Sequence, residues 1–175
     1  MQRNRFWLLP VLFWLAVLQW PGGVQAKTPG EVAPGAILRE ARLRGLNGPD
    51  RLLSQYRGKP LLINVWASWC GPCRAEMGSL ERLAWREEGR RFTVIGISTD
   101  DSESAARRYL QQANATLNHY IDQALELENM LGAERLPLTI LVDARGRVLG
   151  KFYGAREWDN ADAAQWLDSR LPSKK

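Results

Sequence analysis

Cys70 and Cys73 are the only thiols of the 175-residue chain, and they stand together as Trp69-Cys70-Gly71-Pro72-Cys73. A C-x-x-C pair does redox chemistry when a helix starts at it. The unpaired N–H groups and dipole of the first turn stabilise a thiolate, lowering the thiol pKa from about 8.5 toward about 7. Cys70 is then the nucleophile. Cys73, inside the first turn, reaches the same sulfur from a shielded position and resolves a mixed disulfide. The competing uses are a buried structural pair or half of a zinc ribbon. The chain has no second C-x-x-C and one histidine, His119, so no metal site is expected.

The elements around the pair fit this reading. Leu61–Trp66 (LLINVW) is a nearly continuous apolar run, as in a strand covered on both faces, and it leads straight into Cys70. From residue 73 to about 88, Met77, Leu80, Leu83 and Ala84 recur at helical spacing. Residues 92–98 (FTVIGIS) read as a second buried strand, and Ser102 as the N-cap of a second helix. Shorter patterns predict strands at 43–46, 119–121, Leu138–Val142 and Val148–Tyr153, a helical turn at 125–131, and a closing helix over 159–171. Strand-helix-strand units followed by a hairpin and a helix imply an α/β fold, a central mixed β-sheet flanked by helices on both faces.

Composition bounds the function. With 45% hydrophobic and 25% charged residues, one globular domain is expected, and disordered, collagen-like or multi-span membrane proteins are excluded. The formal net charge of +5 includes Arg3 and Arg5 at the N-terminus. The other arginines interleave with acids, as in Arg82, Arg86, Glu87, Glu88 and Arg90, which describes a solvated helix face and not a nucleic-acid patch.

Residues 1–26 carry a positive start, an apolar run over 6–18 and small residues at Val24-Gln25-Ala26, the pattern of a secretory signal. An uncleaved membrane anchor is the second reading, since Trp7, Trp14 and Trp20 suit a membrane interface. The run is shorter than the roughly 20 residues that a spanning helix needs. Either way the domain lies outside the cytoplasm, in a periplasm or other extracytoplasmic space. Residues 27–41, with Pro29, Gly30, Pro34 and Gly35, read as a flexible lead-in to a domain spanning 42–175.

The stretch from Val65 to Met77 (VWASWCGPCRAEM) resembles the active-site segment of thioredoxin-like proteins, specifically the exported TlpA/ResA group. The resemblance runs from about Arg42 onward and takes in Tyr56-Arg57-Gly58-Lys59-Pro60 before the motif strand and the segment from Arg135 to Asp143 (RLPLTILVD). It implies a thioredoxin-like fold with Pro137 in a cis peptide beside the cysteines, leaving the Leu136 backbone to pair with a substrate strand. Without it, Pro137 reads as a strand-start proline. Cytoplasmic thioredoxins carry a buried Asp where this chain has Asn64, and the exported group has a Glu at the position of Glu76. Two readings stand for Glu76: a carboxyl buried under the cysteines, with a raised pKa, that exchanges protons with the thiols, or a first-turn acid favoured by the helix dipole. The group commonly has Pro where this chain has Gly78, which implies a less kinked or looser helix.

The implied activity is reduction of disulfides in extracytoplasmic proteins, with Cys70, Cys73 and Glu76 catalytic. Trp69, Gly71, Pro72, Leu136 and Pro137 support the site or hold substrate. No cofactor is expected, and a membrane electron donor is implied because a reductant in an oxidising compartment must be recharged. Cytochrome c maturation is one use; Leu138 stands where dedicated maturation members often carry an acid. The rivals are an oxidase that introduces disulfides, against which Gly71-Pro72 speaks, and a binding module whose disulfide only switches shape. His119 reads as a structural or exposed strand residue, Trp66 as core, and Arg74 as either an electrostatic tuner or a solvated side chain.

Overall fold

In the computed structural model, which describes residues 30–87 and 90–171, the apolar run before the cysteines is the central strand of the sheet. The elements in chain order are β1 (Arg42–Gly45), β2 (Arg51–Leu52), a 3-10 turn (Leu53–Tyr56), β3 (Leu61–Trp66), α1 (Gly71–Glu87), β4 (Thr93–Ser98), α2 (Glu103–Gln112), β5 (Asn118–Ile121), α3 (Glu126–Leu131), β6 (Leu138–Val142), β7 (Val148–Tyr153) and α4 (Ala161–Asp168). Seven strands lie in the order β2-β1-β5-β4-β3-β6-β7. β3, β4 and β5 run parallel, while β6 and β7 on one side and β1 and β2 on the other are antiparallel. The mixed α/β architecture agrees with the expectation from sequence.

Alternation along β3 divides the core. Ile63 and Val65 pack with Leu127, Met130 and Leu131 of α3 on one face. On the other, Leu62 meets Leu80 and Leu83 of α1 and Leu167 of α4, while Trp66 meets Met77 of α1 and Tyr109 and Leu110 of α2. Both parallel crossovers, through α1 and α2, therefore return on the same face, as two right-handed connections progressing in one direction must. Ser102 caps α2 by accepting from the Ala105 N–H at 3.3 Å, and Asn160 caps α4 by accepting from the Ala163 N–H at 2.8 Å.

Two details differ from the sequence expectations. The two-residue β2 is too short to carry a period. Residues 30–41, expected as part of a flexible lead-in, are docked on the sheet. Val32 N–H donates to the Met130 carbonyl and Leu38 N–H to the Gly146 carbonyl, each at 2.8 Å, while Gly35 and Ala36 bond to Val148. Val32 and Leu38 are buried, and Lys151 pairs with Glu31. Prolines and glycines here shape a packed strap, because the apolar residues between them find a groove beside α3 and β7. The expected signal or anchor over 1–26 lies outside the described residues. Among those described, no helix is long and apolar enough to cross a membrane.

Candidate active site

Cys70 and Cys73 are joined as a disulfide at the start of α1. Pro72 suits this first turn, where its missing N–H has no helical acceptor to lose. The Cys73 N–H points at Cys70 Sγ, 3.2 Å away, and the Arg74 N–H bonds the Cys70 carbonyl at 3.1 Å. Cys70 is thus the residue that the helix start polarises. The two cysteines differ in exposure, though by less than the motif alone implies: Cys70 is 6% exposed and Cys73 1%. Both pack in an apolar cluster with Leu136 and Met77, which leaves Cys70 reachable at a narrow edge. An open cleft of about 850 Å³ reaches Cys70, Gly71 and Pro72, with Trp69 and Leu136 in its walls, and Cys73 is not in its lining. Trp69 is 71% exposed. A pocket under Leu38, Tyr56 and Leu61, at the opposite end of β3, holds only about 20 Å³.

The Leu136–Pro137 peptide is cis, as the resemblance implies. Ladder pairing of β6 begins at Leu138, so Leu136 and Pro137 lie ahead of the strand, Leu136 lining the cleft and Pro137 buried behind it. Trp66 is fully buried and Arg74 lies over the Tyr109 ring, 5.6 Å from its centre. α1 runs on through Gly78 to Glu87 without interruption.

Glu76 lies one helical step past Cys73 on the same side of α1, beyond the first turn of the helix, and is 1% exposed. Its Oε1 accepts from Asn64 Nδ2 at 2.8 Å. Its Oε2 accepts from Trp158 Nε1 at 3.0 Å and from the Arg156 backbone N–H at 3.2 Å. Burial pushes its pKa up to about 7, against the pull of these donors and of the Arg156 charge. A carboxyl titrating there is matched to thiol chemistry near neutral pH.

Sequence reasoning missed two supports. Asp100, buried just after β4, accepts from the Ser68 N–H at 2.9 Å, the Ser68 hydroxyl at 2.7 Å and the Ser98 hydroxyl at 2.7 Å. It pins the loop between β3 and the cysteines. An acid two residues past Ser98, at the end of a buried strand, was the available signal. Trp158, fully buried, is the other; the Ser79 hydroxyl, which accepts from the Trp158 backbone N–H at 3.0 Å, staples its loop to α1. Its distance in sequence from the motif hid it.

Residues 33–167 match the family model described as Redoxin. The chain is 31% identical over 173 residues to the thiol:disulfide interchange protein DsbE of Vibrio cholerae, covering 95% of this chain and 88% of that protein. It is 27% identical over 141 residues to the thiol-disulfide oxidoreductase ResA of Geobacillus thermodenitrificans, covering 81% and 80%. A crystal structure from Chlorobium tepidum, described as a thiol:disulfide interchange protein DsbE, superposes with a TM-score of 0.74 at 25% identity, covering 81% of this chain and 100% of that one.

Proposed function

The chain belongs to the Redoxin family, as a TlpA/ResA-like member of the thioredoxin superfamily, and from that premise we propose that it is an extracytoplasmic thiol-disulfide oxidoreductase that reduces disulfides in other proteins. The observation that carries this reading is the asymmetric pair at the start of α1: Cys70 opens on a cleft walled by Trp69 and Leu136, Cys73 does not, and Glu76 lies buried one turn behind.

In the reduced protein the Cys70 thiolate attacks one sulfur of a substrate disulfide. A mixed disulfide forms, and the first substrate sulfur leaves as a thiolate that takes up a proton. Cys73 gives its proton to the Glu76 carboxylate and attacks Cys70 Sγ, releasing the second substrate sulfur. Two electrons have then passed from the dithiol to the substrate, and Cys70–Cys73 is a disulfide. The polar backbone of Leu136, ahead of the β6 ladder, is placed to pair with an extended substrate segment while Trp69 covers its side chains. Residues 1–26 take the domain out of the cytoplasm and either leave it soluble or anchor it to the membrane. A membrane electron donor returns the pair to the dithiol, and apocytochrome c is one substrate this fits.

Trapping tests the reading. Cys73→Ser should accumulate mixed disulfides through Cys70, and the wild-type couple should titrate near the thioredoxin value of about −270 mV. A couple near about −120 mV would make it an oxidase. Full function in the Cys70→Ser, Cys73→Ser double variant, with nothing trapped by Cys73→Ser, would make it a binding module.

A further inference from the structure

The pocket around Glu76 must satisfy a carboxyl that is ionised at one stage and protonated at another, yet the three groups bonded to it are N–H donors. Each carboxyl oxygen has two acceptor directions. Both directions of Oε2 are taken, by the Trp158 indole and the Arg156 backbone N–H, and neither donor can become an acceptor. Oε1 receives one bond, from Asn64 Nδ2, and keeps a direction open. A proton arriving at Glu76 therefore resides on Oε1, and the Asn64 NH₂ group, which only donates, offers the new O–H no acceptor.

Asn64 has a second face. Its Nδ2 spans two oxygens, Glu76 Oε1 at 2.8 Å and Thr139 Oγ1 at 3.0 Å. Half a turn of the amide exchanges Nδ2 for Oδ1. The carbonyl oxygen then accepts from the Glu76 O–H and from the Thr139 hydroxyl, whose hydrogen rotates freely. The end of the amide that faces Glu76 and Thr139 is bonded in both states: two donations outward when Glu76 is ionised, two acceptances inward when it is protonated. A leucine at this position could do neither, and an ionised aspartate only the second.

We propose that Asn64 is a positioning residue that turns its amide over as Glu76 gains or loses the proton on Oε1, while Trp158 and the Arg156 N–H pin Oε2 in both states. This rests on the reading of Glu76 as the proton carrier for Cys73. The charged and titratable groups around Glu76 are Arg156 from the loop between β7 and α4 and Cys73, one step back on its own helix; β3 and β6 contribute the uncharged Asn64 and Thr139. Leaving the burial of Glu76 unchanged while its partner reverses polarity keeps the carboxyl in one place through the cycle, so the proton is always offered from the same oxygen.

Nuclear magnetic resonance of the full domain, titrated from pH 5 to 9, tests this directly. Above the Glu76 midpoint the Asn64 Nδ2 hydrogens should show Overhauser contacts to Glu76 and Thr139, and below it these should vanish, while the Trp158 indole hydrogen stays bonded at both ends. Contacts that persist through the Glu76 midpoint overturn the proposal. A second variant reads the pinning: Trp158→Phe removes a bond that serves the ionised form more strongly, so Glu76 should bind its proton about tenfold more tightly and the pH midpoint of Cys70 exchange should move up with it. An unmoved midpoint also overturns the proposal. If Glu76→Gln leaves the exchange profile unchanged, the proton-carrier reading fails instead, and the amide contacts still report separately on Asn64.

Discussion

Glu76 and Glu81 sit little more than one turn apart on α1, both directed at the same face of the sheet, and their surroundings drive them in opposite directions. Burial pushes Glu76 up to about 7 despite three donors. At Glu81 burial also pushes upward, but His119, the Thr116 N–H and hydroxyl and the Leu117 N–H bring its carboxyl below the ordinary range. Both are well bonded, so donors alone do not decide the outcome. Two things differ: Glu81 faces His119, for which Glu76 has no counterpart, and the Glu81 side chain keeps 12% of its surface, whereas Glu76 keeps 1% as a residue. At Glu76 desolvation outweighs the donors; at Glu81 it does not. One helix thus carries a group that can exchange protons at neutral pH behind the cysteines, and further along a fixed charge tying α1 to the segment before β5.

The largest effect expected of this contrast is on rate. Glu76→Gln should slow disulfide exchange by the Cys70–Cys73 pair about 100-fold at pH 7, the scale of a lost general acid-base group, while Glu81→Gln leaves it unchanged. Stopped-flow kinetics with a disulfide-bonded protein substrate would measure both, and equal losses would erase the distinction between the two carboxyls.

The next effect is on stability. The folded pKa of Glu76, about 7, lies above its unfolded value of 4.5, so the folded state holds this proton more tightly. Its contribution is fully present below pH 4.5 and is lost as pH rises through 7, a difference of about 3 kcal/mol. Guanidinium unfolding of the oxidised protein at pH 5 and 8.5 should show that loss in wild type and not in Glu76→Gln. Glu81→Ala acts differently. It strips the acceptor from Thr116 and Leu117 and should cost about 2 kcal/mol at pH 7, with exchange kinetics intact. A matching loss of exchange would show that the far part of α1 positions the cysteines.

The legibility of the molecule in its sequence follows the same contrast. The long apolar runs announced β3, β4 and β6 because a strand buried on both faces leaves its whole length apolar. Cys70 and Cys73 were readable because their chemistry lies in residue type and short spacing, whereas the cis Pro137 came only from the resemblance to the thioredoxin-like group. The docked strap over residues 30–41 was not, since prolines and glycines shape a packed irregular segment as well as a loose one, and only its groove distinguishes them. Glu76 could be identified as a candidate but not decided, because whether a carboxyl is dry depends on Trp158 and Arg156, brought in from the far end of the chain. Asp100 shows the same limit: its three donors come from Ser68 and Ser98, which only the sheet brings together.

The smallest effect concerns His119 and isolates the second region. His119 is buried at 1% exposure, and its Nδ1 accepts from Trp66 Nε1 at 3.2 Å, so the neutral ring carries its proton on Nε2, which faces Glu81 Oε1 across 3.8 Å, too far for a hydrogen bond. Gly96 makes room for it: a Cβ there would lie 2.1 Å from Nδ1. Burial lowers the His119 pKa below 6.5, with Glu81 opposing. The unfolded chain then takes up this proton first, so stability attributable to His119 falls as pH drops below 6.5, at no more than one proton, about 1.4 kcal/mol per pH unit. Glu76 has the opposite sign in the same window, and in wild type the two slopes offset each other. In Glu76→Gln, unfolding midpoints should decline from pH 6.5 to 5.5, by up to about 1 kcal/mol, and adding His119→Leu should abolish the decline. A Glu76→Gln protein whose stability holds steady to pH 5.5 would mean that Glu81 carries a charged His119 without penalty, and the fixed-charge region would be a titrating one as well.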